Sequence, residues 1–117
     1  MDALEWLRKQ LDGDENDLLR EMVRGVCSTA SSLEAVAEYI KGQELTRQAR
    51  DEEGIAYFRR ATELDPNFGR AYSAWGTAAF KIGRADESEA QYKKALSLLN
   101  LMTEREQYRT LGAYYLA

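Results

Sequence analysis

The sequence of 117 residues carries 16 basic and 20 acidic side chains, a formal charge of −4, one Cys and no His. One Cys excludes an intrachain disulfide framework and a multi-cysteine zinc site, and the absence of His removes the commonest general base. Since 44% of the residues are hydrophobic and no apolar run approaches the ~20 residues of a membrane span, we expect one soluble cytoplasmic domain, without membrane contact or cofactors.

Charge is distributed unevenly along the chain. The segment 1–34 holds eight acids and four bases, whereas the rest of the chain is neutral. A nucleic-acid-binding protein concentrates Lys and Arg on one face, because neutralising phosphates supplies most of its affinity. The basic pairs Arg59–Arg60 and Lys93–Lys94 instead occupy equivalent places in a repeating pattern, described below. We therefore expect no nucleic-acid partner.

Residues 1–30 are predicted to form a helical head whose pattern differs from the rest of the chain. Residues 1–10 contain acids and lack an apolar segment, so we expect no secretory signal. Leucines spaced three or four residues apart predict a first amphipathic helix, at Leu4, Leu7 and Leu11. A second apolar stripe predicts another helix, at Leu18, Leu19, Met22, Val23 and Val26.

The head offers two candidate chemical sites, and neither fits its template. The acidic turn at residues 12–17 begins like a calcium-binding loop, but Asp17 and Val23 stand where that loop requires Gly and Glu. Cys27 has no His in the sequence that could activate it as a nucleophile. We therefore predict a solvated turn and a small, partly buried thiol, with neither metal-binding nor catalytic residues.

An internal repeat follows the head. Shifting the sequence so that Arg59 falls on Lys93 aligns small and aromatic residues without a gap, for example Gly42 with Gly76 and Phe58 with Tyr92. Two units of two helices each are predicted, at residues 31–68 and 69–102. The predicted helices are Leu33 to Gln48, Asp51 to Leu64, Gly69 to Ile82 and Asp86 to Leu99.

Two turns and a set of small residues shape these units. Gly83 is the natural left-handed residue after its helix, whereas Ala49 takes that place in the first unit and predicts a weaker end. Antiparallel helices need small residues where their axes cross. On the second helix of each unit, an aromatic residue and a further small residue continue the buried stripe. The structural positions are Gly42, Gly76, Gly54, Ser88, Phe58, Tyr92, Ala61 and Ala95, with Pro66 ending the first unit.

Residues 103–117 are predicted to form the first helix of an incomplete third unit. Thr103-x-x-Glu106 is a capping box, so this helix should begin near Glu104. Its apolar face either packs on the second unit or docks on a second chain as a homodimer. The candidate self-association residues are Tyr108, Leu111, Tyr114, Tyr115 and Leu116.

The run from Ala61 to Phe68, followed by Ala71-Tyr72, Trp75-Gly76 and Ile82-Gly83, resembles the tetratricopeptide repeat. The resemblance implies an all-α helix-turn-helix solenoid of about seven helices that acts as a protein-interaction scaffold and not as an enzyme. The first unit departs from the pattern, because Glu38 and Lys41 stand where the second has Tyr72 and Trp75. Tyr39 is expected to compensate.

In that family the first helix of each unit lines a concave groove that receives a peptide or a helix. When the groove positions of the family are transferred to this sequence, the resulting surface suits an acidic or amphipathic segment. The alternative is that these residues form ordinary solvated helix surface. The Lys and Asn residues of the family's terminal-carboxylate clamp are absent, since Tyr39, Gln43 and Ala74 occupy those positions. The candidate groove residues are Val36, Tyr39, Gln43, Thr46, Arg47, Arg70, Ser73, Thr77, Phe80 and Lys81.

Two weaker resemblances leave the parent protein open. Residues 28–117 look like the repeat region of bacterial multidomain signalling proteins, which implies a regulatory fragment whose catalytic domain lies elsewhere. Residues 1–24 resemble the opening segment of bacterial mutator-type transposases, without any of that family's catalytic acids. If the resemblance of residues 1–24 is real, the chain joins two unrelated pieces, as a recombined or engineered chimera without an evolved function would.

Overall fold

The protein is all-α in the residues that its structure, a computed structural model, describes: 3–12, 20, 23 and 32–116, without the side chains of 113, 115 and 116. The predicted fold class is confirmed for these residues, which contain no strand. A 3₁₀ turn at Leu99–Leu101 precedes the last helix. The helices are α1 (Ala3–Leu11), α2 (Leu33–Arg47), α3 (Asp51–Leu64), α4 (Gly69–Lys81), α5 (Ala85–Ser97) and α6 (Glu104–Leu116).

Small residues let the helices of each pair approach closely. A Cβ atom on Gly42 of α2 would lie 2.6 Å from Cε1 of Phe58 on α3 and 3.0 Å from the carbonyl oxygen of Gly54. In the second pair, the hydroxyl of Ser88 donates a hydrogen bond of 2.7 Å to the carbonyl oxygen of Gly76. The axes of α2 and α3 therefore cross at a distance that excludes larger side chains.

Three aromatic rings form the centre of the first pair. Tyr39, Phe58 and Phe68 are each about 1% exposed, and the ring centroid of Tyr39 lies 6.0 Å from that of Phe58 and 5.2 Å from that of Phe68. Tilted rings at these separations attract one another as well as burying apolar area. Tyr39 thus supplies the aromatic packing that Glu38 and Lys41 cannot provide in the first unit.

The head packs against the first unit through α1. Leu7 is 1% exposed and belongs to the same hydrophobic core as the aromatic rings. The ammonium group of Lys41 on α2 lies 4.5 Å from the ring centroid of Trp6, a favourable cation–π distance. The predicted second head helix lies mostly outside the described residues: of its stripe only Val23 is described, and it is helical and buried.

Side-chain caps begin α2 and α6, whereas α3, α4 and α5 begin without a side-chain capping hydrogen bond. The hydroxyl of Ser32 accepts a hydrogen bond of 3.1 Å from the backbone N–H of Ala35 at the start of α2. At α6 the backbone N–H of Glu106 donates to the Thr103 hydroxyl at 3.3 Å, and the N–H of Thr103 donates to the Glu106 carboxylate at 3.2 Å. The predicted capping box is thereby confirmed.

Both repeat units close their first helix with the same turn. Ala49 has φ of +62° and Gly83 has φ of +81°. The following backbone N–H groups, of Arg50 and Arg84, each donate 2.9 Å hydrogen bonds to the carbonyl oxygens of Leu45 and Ala79. The first unit therefore holds an alanine in the left-handed conformation that favours glycine.

We expect Ala49→Gly to raise the free energy of unfolding by about 0.5–1 kcal/mol, since relief of the left-handed strain exceeds the added entropy of the unfolded chain. The reciprocal change Gly83→Ala should lower it by a similar amount. Urea denaturation of both variants measures the difference. A loss of stability in Ala49→Gly would contradict the strain at this turn.

Candidate functional site

A cavity of about 240 Å³ opens between α2, α4 and α6, the helices that begin successive repeat units in the predicted register. Nine of its twelve lining residues carry hydroxyl, amide or cationic groups, and the other three are apolar. The lining residues are Tyr39, Gln43, Thr46, Phe58, Arg70, Ser73, Ala74, Thr77, Ala78, Lys81, Arg109 and Thr110.

Helical periodicity brings most of the candidate groove residues together at this cavity. Residues three or four apart share one face of a helix, and α2 and α4 each turn one such face toward the cavity. Seven of the ten candidates line it: Tyr39, Gln43, Thr46, Arg70, Ser73, Thr77 and Lys81.

Three candidates lie elsewhere. Val36 is 0% exposed and belongs to the hydrophobic core, so its assignment to the groove surface is corrected. Arg47 turns outward and pairs with Glu44 at 2.7 Å. Phe80 is 52% exposed and does not line the cavity. On α4 the lining face continues from Thr77 to Lys81, four residues later, so Phe80 points away from it.

Helix α6 contributes lining residues that the sequence did not reveal. Arg109 and Thr110 come from this helix, which the sequence assigned to a third unit without defining its inward face. The capping box could have indicated the inward face of α6, because its Glu106 is buried in the structure. Arg109 and Thr110 follow Glu106 by three and four residues and therefore lie on the same face.

A chain of polar contacts joins the three helices at the cavity. The Gln43 side-chain amide donates to the Tyr39 hydroxyl at 2.6 Å, and the Arg70 guanidinium lies 5.5 Å from the Tyr39 ring centroid. The Nε of Arg70 is 3.7 Å from a carboxylate oxygen of Glu106. The capping residue of α6 thus also pairs with α4, and α4 in turn covers the central tyrosine of α2.

Burial raises the pKa of the Tyr39 hydroxyl above its ordinary value of 10.0, and the nearby positive charges of Arg70 and Arg109 offset part of that increase. The native state therefore retains this proton at a pH where the unfolded chain releases it. Because ionisation then favours the unfolded chain, stability linked to Tyr39 is complete below pH 10 and is lost as the pH rises above that value.

We expect Tyr39→Phe to weaken the fall in stability above pH 10. Below that pH the variant should lose about 1 kcal/mol, since the Gln43 amide loses its acceptor. Denaturation curves measured across the alkaline range test this expectation against Tyr108→Phe, which changes a side chain that is 68% exposed. Equal alkaline slopes in the wild type and Tyr39→Phe would contradict it.

The candidate self-association residues occupy different environments on α6. Tyr108 is exposed, and its hydroxyl donates to Glu104 at 3.3 Å. Leu111 is half-buried, and the ring of Tyr114 meets that of Tyr92 edge-on at 5.8 Å within the same chain. The side chains of Tyr115 and Leu116 lie outside the described residues.

The described residues contain neither a cluster suited to a metal ion nor a membrane-spanning helix. No group of three or more His, Cys, Asp or Glu side chains in this part of the chain could hold a metal ion. None of the helices described is long and apolar enough to cross a membrane.

Comparison with known proteins identifies the repeat. The family model of the tetratricopeptide repeat matches residues 36–68 and 69–98, which together form more than half of the chain. No curated protein and no solved structure matches the chain significantly.

Proposed function

The chain belongs to the tetratricopeptide repeat family, and from this premise we propose that it is a non-catalytic interaction scaffold that binds an extended peptide in the cavity between α2, α4 and α6. Repeats of this family suggest protein interaction. The observation that carries the proposal is a concave surface shared by three helices and rich in hydrogen-bonding side chains. In this proposal α6 serves as the first helix of a third unit.

The dimensions of the surface suit a peptide. Its volume of about 240 Å³ lies below the ~300–1,000 Å³ of pockets that enclose small molecules. The lining row from Arg70 to Lys81 extends roughly 16 Å along α4 at ~1.5 Å per residue, which matches about five residues of extended chain. The cavity therefore fits one anchoring side chain, with the peptide continuing along the helix.

The lining favours binding over chemistry. Tyr39, Gln43 and Thr77 offer hydrogen-bonding groups for a peptide backbone or side chain. Among the described residues the lining contains no carboxylate, Cys or His, the groups that most often serve as general base or nucleophile. These features support a scaffold in which α4 forms the middle of the binding surface.

A phage-displayed library of random peptides tests the proposal. Peptides enriched on the wild-type chain should lose binding to Ser73→Trp, whose indole would fill the cavity without changing charge. The matched control is Ser97→Trp, at an exposed position of α5 outside the cavity. Failure to enrich any peptide, or equal binding to Ser73→Trp, would refute the proposal once circular dichroism shows both variants folded.

A further inference from the structure

We propose that the cavity binds the side-chain carboxylate of an acidic residue in the partner peptide, held between Arg70, Lys81 and Arg109. This inference rests on the proposed function, since it assigns the chemistry of the peptide that the same surface would bind. It also gives α6 a specific part in recognition, because one of the three cations belongs to that helix.

The first support is the sign of the charges around the cavity. Its charged lining residues are the three cations, and none of the described lining residues is a carboxylate. Two acids outside the lining pair with these cations: Glu106 is 3.7 Å from Arg70, and Asp51 is 3.8 Å from Lys81. Arg109 forms no ion pair with a described residue. The positive charge is therefore only partly offset.

The second support is the donors that remain available. At 3.7 and 3.8 Å the ion pairs of Arg70 and Lys81 are too long to be hydrogen bonds. A guanidinium has five N–H groups and an ammonium has three, so both cations can donate to a further oxygen. Thr46 and Ser73 add neutral hydroxyls to the lining. A carboxylate entering the cavity can thus accept several charge-assisted hydrogen bonds.

The third support is the partial burial of Arg70. Its side chain is 14% exposed, so water screens its charge less than that of a surface arginine. Lys81 is 52% exposed and Arg109 is also exposed, so these two cations are accessible to an approaching peptide. One cation is therefore largely buried, and two are accessible to solvent.

The fourth support is the difference in sign between the positive cavity and the net charge of the chain. The whole chain has a formal charge of −4, with the acidic excess in the segment 1–34. A local positive site on an acidic protein attracts acidic segments to that site and repels basic ones. Because the lining row runs further along α4 than one anchoring side chain needs, so that the peptide continues past the cavity, we assign the site to a side-chain carboxylate.

The experiment uses peptides enriched on the full chain and binding in the cavity, as judged by Ser73→Trp. Each is synthesised in three forms: unchanged, with every Asp and Glu replaced by Asn and Gln, and with an amidated C-terminus. Fluorescence anisotropy measures their dissociation constants for the wild type, for Arg109→Gln and for Lys93→Gln. Lys93 is the matched control, because its ammonium lies on α5 outside the cavity, 3.3 Å from Glu89.

We expect the neutral peptides to bind about tenfold or more weakly, and Arg109→Gln to weaken the acidic form without affecting the neutral form. Lys93→Gln and terminal amidation should change little. If cavity-bound peptides tolerate the loss of their acids, the carboxylate assignment fails and the peptide-binding function stands. If only amidation abolishes binding, the ligand is a terminal carboxylate and the proposal is overturned. If no peptide is enriched, both proposals fail.

Discussion

Phe58→Ala is expected to lower the free energy of unfolding by about 3–5 kcal/mol, the usual cost of removing a buried phenyl ring. Phe58 is 1% exposed and packs between the ring of Tyr39 and the backbone of Gly42. The ring also forms part of the cavity wall, so its loss would enlarge the cavity as well as remove apolar contacts. A marginally stable domain could lose a large part of its stability through this change.

Urea denaturation measures the loss, with an unchanged dependence on denaturant showing that unfolding remains two-state. Phe80→Ala provides the matched control, because Phe80 is 52% exposed and its removal should cost less than about 0.5 kcal/mol. A similar midpoint shift in both variants would show that burial at Phe58 is not what stabilises the first helix pair.

Gly42→Ala is expected to destabilise the protein by about 1–2 kcal/mol, although alanine is the better helix former by about 1 kcal/mol. The new methyl group would lie 2.6 and 2.8 Å from ring atoms of Phe58 and 3.0 Å from the carbonyl oxygen of Gly54. Neither neighbour can yield cheaply, since the ring is held against Tyr39 and the carbonyl belongs to the backbone of α3.

The same substitution at Gly112 of α6 serves as the control. No described atom lies within 4 Å of a Cβ there, so Gly112→Ala should gain up to about 1 kcal/mol from helix propensity. Gly76→Ala should fall between the two, with its closest contact at 3.1 Å. In a double mutant with Phe58→Leu, part of the Gly42→Ala loss should be recovered, because the two sites share one contact. If Gly42→Ala instead stabilises the protein, the close approach of α2 and α3 does not limit packing.

The spacing of small and aromatic residues was enough to predict the repeat helices closely. Helix α3 has the predicted bounds, Asp51–Leu64, and α4 ends at Lys81, one residue before the predicted end. This accuracy has a local cause, since capping residues, turn residues and apolar periodicity all lie within a few residues of the feature they specify. The prediction for α5 extended two residues too far, because Leu98 is a turn residue and Leu99 begins the 3₁₀ turn.

The lining of the cavity was predictable in part. Helical spacing grouped Tyr39, Gln43 and Thr46 on one face of α2, which the structure turns toward the cavity. The same spacing could not show that Val36, one turn earlier, is enclosed by the core. Whether a residue on a helical face is covered depends on the element packed over that turn, and that element can be distant in the sequence.

The sequence by itself determined the all-α repeat, its period and the glycines at which paired helices cross, because each follows from local propensity and fixed offsets such as that from Gly42 to Gly76. Only the tertiary structure decided how the successive first helices combine. It brings Arg109 of α6 to the same cavity as Arg70 of α4 and Tyr39 of α2, and it pairs Glu106 with Arg70. The physical reason is that the relative rotation of packed helices results from side-chain interlocking across the whole interface, which no single segment specifies.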